Sequence, residues 1–288
     1  MNILLTGASG FIGRNIAATL TAAGHRITPV SRSHGIDFGR MQNPADWLPH
    51  LDGIDAVINA VGIIAQSGTQ RFEPVHTHAP IALFRACQHA GVRRVLQISA
   101  LGADETAFSP YHLSKRAADD VLRSLDLDWF VLRPSLIYGR GGKSAGLFMR
   151  LAAMPLIPVI GNGLQALQPV HITDVVATVM RSLTATPSKQ TLDIIGLDTI
   201  TFTEWLQQMR EAQGLSRARV IRIPFPMAMT LARLGRHINP LLHPDNVRML
   251  QTGYRADIQP LAQFLGRMPL SVEPNLFFTD SLPTGVPK

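Results

Sequence analysis

Tyr111 and Lys115 stand four residues apart at the start of a stretch whose apolar spacing predicts a helix near 112–125, so both side chains fall on one helical face. A phenol titrating near pH ~10 is a poor base at neutral pH, whereas an adjacent ammonium favours its phenolate. Together the two groups can exchange a proton with a hydroxyl or a carbonyl. A second constellation lies at the amino terminus, where Thr6-Gly7-Ala8-Ser9-Gly10-Phe11-Ile12-Gly13 follows a short apolar run and opens a helical pattern. Glycines 7, 10 and 13 supply a tight turn, a bare backbone that a pyrophosphate can approach, and close packing of helix on strand. The free N–H groups of the helix then face the phosphates, which predicts dinucleotide binding by Thr6, Gly7, Ser9, Gly10, Phe11, Ile12 and Gly13.

The nucleotide's identity is read at the end of the next predicted strand, where NAD enzymes usually carry an acidic residue for the ribose hydroxyls. Here Val30-Ser31-Arg32-Ser33 stands in that place. Arg32 can pair with a 2′-phosphate, Ser31 and Ser33 can donate to it, and Arg14 after the third glycine adds a second cation. NADP(H) is therefore the preferred cofactor, with NAD(H) as the alternative.

The elements that position these residues alternate. β-branched runs at Asn2–Thr6, Arg26–Val30, Ala56–Ala60, Arg94–Ile98 and Trp129–Leu132 are separated by helical patterns near 11–23, 78–91 and 112–125. That alternation predicts an α/β fold, a Rossmann-type doubly wound parallel sheet with a smaller, interleaved C-terminal substrate region. After Arg133-Pro134 the texture shifts to shorter elements broken by glycine and proline. A strand–helix–strand return at 168–196 precedes helices at 201–214 and 225–236. The division expected is a dinucleotide-binding domain over 1–165 with the return segment 168–196, and a substrate or partner region over 197–288.

The bulk numbers agree with a chain that is globular throughout. The chain has 288 residues, 46% of them hydrophobic and 16% charged, enough for a large core. Met1 to Thr6 carries no signal-peptide pattern, and no run reaches the length of a membrane span. The lone Cys87 sits in an apolar helical pattern that predicts burial and a cytoplasmic setting. Net charge is 27 − 20 = +7, concentrated between Arg210 and Arg255, where eight arginines meet only Glu211 and Asp245. Without aromatic interleaving or a nucleic-acid motif, that segment reads as a solvated face or as a surface for an acidic substrate, partner or membrane. No zinc-ligand spacing and no Gly-x-Ser-x-Gly elbow occurs.

The Gly-x-x-Gly-x-x-Gly spacing resembles the extended and atypical short-chain dehydrogenase/reductases. The likeness continues through Asn59-Ala60-Val61-Gly62, Tyr111-x-x-x-Lys115, Arg133-Pro134 and Val170-His171-Ile172-Thr173-Asp174-Val175. It implies a seven-strand-like Rossmann core, Tyr111 as general acid/base, and Lys115 on the nicotinamide ribose. It also implies Asp37 near the adenine, Asn59, Ala60, Val61 and Gly62 along its ribose, and Pro134 near the nicotinamide. Ser99 matches a family serine, but the usual hydroxyl assistant lies about two residues later, where this chain has Leu101. Ser99 is thus either catalytic or a strand cap touching the cofactor. His76 stands where the family commonly has asparagine, in a related polar role or a structural one, and His171 and Asp174 carry structural or substrate-facing roles. The interval from Ser99 to Tyr111 is shorter than in the sugar-nucleotide epimerases, against their particular active site.

The function expected is an NADP(H)-dependent oxidoreductase acting on an unnamed carbonyl or alcohol. The alternatives share the fold. One is an epimerase or dehydratase with tightly held nucleotide. The other rests on similarity to bacterial relatives of the nucleotide-binding accessory subunit of respiratory complex I, and implies a non-catalytic protein, peripheral to the inner face of the membrane. Oligomeric state and substrate are left open.

Overall fold

A computed structural model of the chain describes residues 1–68, 70–235 and 238–278. Its elements begin with β1 (Asn2–Thr6), α1 (Phe11–Ala22), β2 (Arg26–Val30), α2 (Pro44–Trp47), β3 (Ala56–Asn59), α3 (Ala79–Ala90), β4 (Arg94–Ile98), α4 (Pro110–Ser124) and β5 (Asp128–Pro134). They continue with β6 (Ile137–Tyr138), α5 (Lys143–Ala152), β7 (Leu156–Ile160), β8 (Ala166–Leu167), β9 (Val170–His171), α6 (Ile172–Ser182), β10 (Gln190–Ile194) and β11 (Ile200–Thr201). Then follow α7 (Phe202–Ala212), β12 (Arg219–Ile223), α8 (Phe225–Gly235), α9 (Pro244–Thr252) and α10 (Gln259–Leu265).

Six strands form one parallel sheet in the order β10-β5-β4-β3-β1-β2. Parallel strands need crossover helices, which cover the sheet and favour near-continuous apolar strands. Ala56–Asn59 is buried at every position, and Leu4, Val57, Val95 and Val131 join Leu83, Phe84, Cys87 and Leu122 from α3 and α4 in one core. Cys87 is fully buried, as its apolar setting predicts, and desolvation pushes its thiol up. The chain leaves β1 toward β2 and returns on the other side through β3, so the strand order reverses between β1 and β3. In such sheets that reversal opens the crevice where ligands bind.

The resemblance implied one strand more. The parallel sheet has six strands, and residues 32–40 form two 3-10 turns, Arg32–His34 and Phe38–Arg40, separated by Gly35 at φ 79°.

The chain divides into two compact units, one of residues 1–134 with 176–194, the other of 135–175 with the residues from 195 onward. The sequence expectation kept 135–165 with the sheet. In the structure this segment packs in the second unit, because Ile157 and Val159 bury their side chains in the same core as Phe202, Trp205, Leu206 and Met209 of α7. Tyr138 sits in that core, with its ring 5.3 Å from Trp205 and 5.0 Å from Phe277. No helix among the described residues is long and apolar enough to cross a membrane.

Candidate active site

The glycine turn closes as its spacing requires. Gly7 adopts φ 69°, a left-handed conformation that penalises a side chain, and its N–H bonds the Val30 carbonyl at 2.8 Å. A Cβ at Gly7 would stand 2.7 Å from Ala60 O, and one at Gly13 would stand 2.1 Å from Gly7 O. Both contacts are with backbone, so bare glycine is needed. Gly10 caps α1 with extended backbone and no side-chain bond, leaving the helix N-terminus to face a ligand, and Ser9 and Gly10 are exposed. A cradle that any Cβ would fill, at the sheet's reversal point and the head of a helix, fits a dinucleotide pyrophosphate. Phe11 and Ile12 are part-buried at the first turn, with the Arg14 guanidinium 5.3 Å over the Phe11 ring.

At the end of β2, Ser31 is buried and its Oγ lies 2.8 Å from Ser33 Oγ and 2.7 Å from His34 Nδ1. Arg32 and Ser33 are exposed. Asp37 sits in the following turn with its carboxylate 3.3 Å from Arg40 Nε. Asn59 ends β3 with its side chain turned into the sheet: Oδ1 accepts from Thr6 Oγ1 at 2.5 Å, and Nδ2 donates to Gln97 Oε1 at 2.7 Å. Side chains of Thr6 and Asn59 therefore tie three strand ends together, and what this edge offers a ligand is the backbone of Ala60, Val61 and Gly62.

Helix α4 delivers the proposed acid/base pair. Ser109 caps it, its Oγ accepting from the His112 N–H at 3.1 Å, and Pro110 occupies the first turn, where a missing N–H costs nothing. Lys115 is buried, and its Nζ donates to Val61 O at 3.1 Å and Ile98 O at 2.9 Å, so the ammonium spans the ends of β3 and β4. Gly62 leaves room for it, since a Cβ there would lie 3.2 Å from Nζ. Tyr111 is part-buried, and burial pushes its phenol up to about 12, with the charge of Asp119 adding to the rise. Spacing suggested an ammonium holding the phenol down. Here burial dominates, and the phenol stays protonated at neutral pH.

His76 completes this wall from a π-helical stretch, Glu73–His78. Its imidazole is fully buried, stacked on Phe72 at 5.3 Å and edge-on to Tyr111 at 5.5 Å. Nε2 accepts from the Ile63 N–H at 3.0 Å, which assigns the proton to Nδ1, 3.0 Å from Ser114 Oγ. Burial, with Lys115 nearby, holds its pKa well below the usual imidazole value, so this ring is a neutral scaffold for Tyr111.

Ser99 is buried, and its Oγ donates to Asp119 Oδ2. It is oriented by a carboxylate instead of standing free. Asp119 is the site residue that sequence reading missed. Tyr111, Lys115 and Asp119 recur every four residues, so carrying the helical period one turn further would have found it. Burial drives the Asp119 carboxyl upward, against the pull of Ser99 and Lys115, and draws the Lys115 ammonium downward, against the pull of Asp119. Each charge is thereby the counter-charge that lets the other exist in a dry site. Gln97, fully buried, was missed as well; it links Asn59 to the base of this cluster.

Other expected residues serve the frame. Pro134 is buried, and its carbonyl accepts from the Leu101 N–H at 2.9 Å. Arg133 grips Asp193 of β10 through Nε at 2.6 Å and Nη2 at 3.0 Å. In the second unit, His171 Nε2 lies 3.1 Å from Leu276 O, and Asp174 accepts from Arg267 Nη2 at 2.6 Å and the Leu270 N–H at 2.8 Å. Among the described residues, no three histidine, cysteine or acidic side chains gather as metal ligands would.

With a glycine cradle at the reversal point and a Tyr-x-x-x-Lys helix over the sheet ends, the molecule falls in the class of nicotinamide-nucleotide-binding Rossmann proteins. The sequence profile of the NAD dependent epimerase/dehydratase family matches residues 3–195, and the chain belongs to that family. Among relatives, it is 27% identical to a ceramide reductase of Caulobacter vibrioides, over 91% of this chain and 88% of that one. It is also 27% identical to the mitochondrial NADH dehydrogenase [ubiquinone] 1 alpha subcomplex subunit 9 of Arabidopsis thaliana, over 78% of this chain and 61% of the relative. Solved structures share the fold at lower identity. UDP-glucose 4-epimerase from Thermotoga maritima superposes with TM-score 0.74 at 18% identity over 97% of each chain. MoeE5 in complex with UDP-glucuronic acid and NAD does so with TM-score 0.72 at 22% identity over 96% of each.

Proposed function

We propose that the protein is an NADP(H)-dependent reductase of a carbonyl substrate, and that Tyr111 gives the carbonyl oxygen its proton. The observation that carries this reading is the pairing on α4 of a protonated phenol, pushed up to about 12, with a lysine whose Nζ is fixed at the sheet edge beside the glycine turn. A group that holds its proton at pH 7 is suited to donating one and poorly suited to taking one from an alcohol. Gly7, Gly10 and Gly13 would hold the pyrophosphate, Ala60 to Gly62 the adenine ribose, Lys115 the nicotinamide ribose, and Arg32 with Ser31, Ser33 and Arg14 a 2′-phosphate. A reduced nicotinamide bound there supplies hydride. Ser99, tied to Asp119, is a positioning residue for the lysine end of the site. The likeness to a ceramide reductase over nearly the full length of both chains makes long-chain lipid carbonyl compounds the class to screen first.

Tyr111→Phe should lower turnover about 10²–10⁴-fold with NADPH affinity within about twofold of wild type, read by stopped-flow turnover and fluorescence titration; unchanged turnover sinks the role. Arg32→Ala should weaken NADPH by about tenfold or more, the loss of a charge-assisted pair, and leave NADH unchanged. Equal loss for both nucleotides removes the NADP preference.

A second reading, a nucleotide-holding accessory protein of a respiratory complex, is favoured by the match to subunit 9 over 78% of this chain. It expects a nucleotide that co-purifies and keeps its redox state when carbonyl compounds are supplied. Consumption of NADPH would reject it.

A further inference from the structure

Helix α8 faces the wrong way for a helix of a water-covered domain. Such a helix turns its apolar stripe inward and its polar face outward. Here the residues turned inward are Ala228, Met229 and Ala232, while Met227, Leu231 and Leu234 are 48%, 51% and 67% exposed. Their spacing of four and three residues puts them on one stripe, and Ile238, three residues beyond the end of the helix, is 88% exposed. Ile221, on the strand leading into the helix, is exposed too. Isolated exposed leucines are ordinary, but a contiguous apolar ridge marks an interaction site.

Charge decides what covers it. Between Arg210 and Arg255 the chain carries eight arginines and no lysine against Glu211 and Asp245. Arg217 is occupied by Glu204 and Glu211, and Arg210 by the carbonyls of Ala152, Met154 and Ser216. Arg219 and Arg222 on β12, the strand that leads into α8, and Arg233 in the last turn of α8 are exposed and pair with no carboxylate among the described residues. A second copy would bring one cationic patch against another. An anionic surface meets both features at once, taking the ridge into an apolar layer and the guanidinium groups onto phosphates. At 11 residues, α8 is too short to span a bilayer, and its exposed apolar stripe beside arginine is the pattern of a helix lying in its interface.

We infer that α8 and the end of β12 seat this protein on an anionic phospholipid surface, with Met227, Leu231, Leu234 and Ile238 entering the headgroup boundary and Arg219, Arg222 and Arg233 on lipid phosphates. The inference does not rest on the redox reading and concerns none of its residues.

Flotation of the full chain with vesicles of phosphatidylcholine, with and without phosphatidylglycerol, tests it. Binding should require phosphatidylglycerol. It should fall about 100-fold in R219Q/R222Q/R233Q, three phosphate-facing cations at about 1 kcal/mol each. It should fall at least about tenfold in L231Q/L234Q, which removes the apolar contribution. Circular dichroism and NADPH titration should match wild type in both variants, which separates loss of the surface from loss of the fold or of the nucleotide site. Absence of vesicle binding, or equal binding to both lipid mixtures, overturns the proposal. So does a wild-type dimer in light scattering that L231Q/L234Q converts to monomer without any vesicle binding, since the ridge would then belong to a second copy.

Discussion

Helix α4 turns His112, Ser114, Lys115, Asp119 and Leu122 inward and leaves Ala117 and Asp120 in water, whereas α8 turns in two alanines and a methionine and leaves Met227, Leu231 and Leu234 outside. Polar and charged groups are thus buried on the first helix, and large apolar groups are exposed on the second. Burying Lys115 and Asp119 costs free energy that each offsets for the other, with Ile98 O and Val61 O accepting from Lys115 and Ser99 Oγ donating to Asp119 Oδ2, while Asp119 Oδ1 is buried without a hydrogen-bond partner. No comparable internal partner covers the ridge of α8 among the described residues. A departure from simple patterning has a different meaning in each place: countered by charge from within, it marks chemistry, and left outside, it marks a surface for something else.

The widest contrast is in stability. Leu122→Ala, at a fully buried position, should cost about 2–5 kcal/mol. Leu234→Ala, at 67% exposure, should stay within about 0.5 kcal/mol. Urea denaturation of the two variants measures both, and a large cost at Leu234 would show that α8 is held by contacts the chain itself provides.

Gly13→Ala comes next. A methyl 2.1 Å from Gly7 O forces α1 away from the turn, costing about 1–3 kcal/mol in overpacking and abolishing saturable nucleotide binding. Retained NADPH affinity by calorimetry would mean that the turn does not hold the pyrophosphate.

Asp119→Asn has the smallest effect and the sharpest sign. The carboxylate favours the Lys115 ammonium, which burial already draws downward, so its removal lets the lysine deprotonate at lower pH. The alkaline limb of the kcat/KM profile should move about one pH unit toward acid. The acid limb should stay in place, and Asp119→Glu should restore the profile. A uniform drop across all pH values would reduce Asp119 to a packing role.

How much of this was legible beforehand follows the range of the interactions. Strands β1 to β5 and helices α1, α3 and α4 lie within a few residues of their expected bounds, because hydrophobic period and glycine placement are local signals. The glycine turn was legible in part for the same reason: a Cβ at Gly13 would meet the backbone of Gly7, six residues back, whereas the constraint on Gly7 comes from Ala60 on another strand end. The transfer of 135–165 to the second unit was hidden because Ile157 and Val159 find Trp205 and Leu206 about fifty residues on.

What the sequence determined by itself is the class of protein: a nucleotide cradle at the first turn, a tyrosine and lysine one helical turn apart, and a cationic stretch between Arg210 and Arg255. Only the tertiary structure decided the protonation and partners of those groups, since Asp119 and His76 matter to Lys115 and Tyr111 through burial shared across elements. The same holds for α8, whose apolar residues fit a core or a surface equally well by spacing. Desolvation and exposure are properties of the packed whole, and spacing along one element does not specify them.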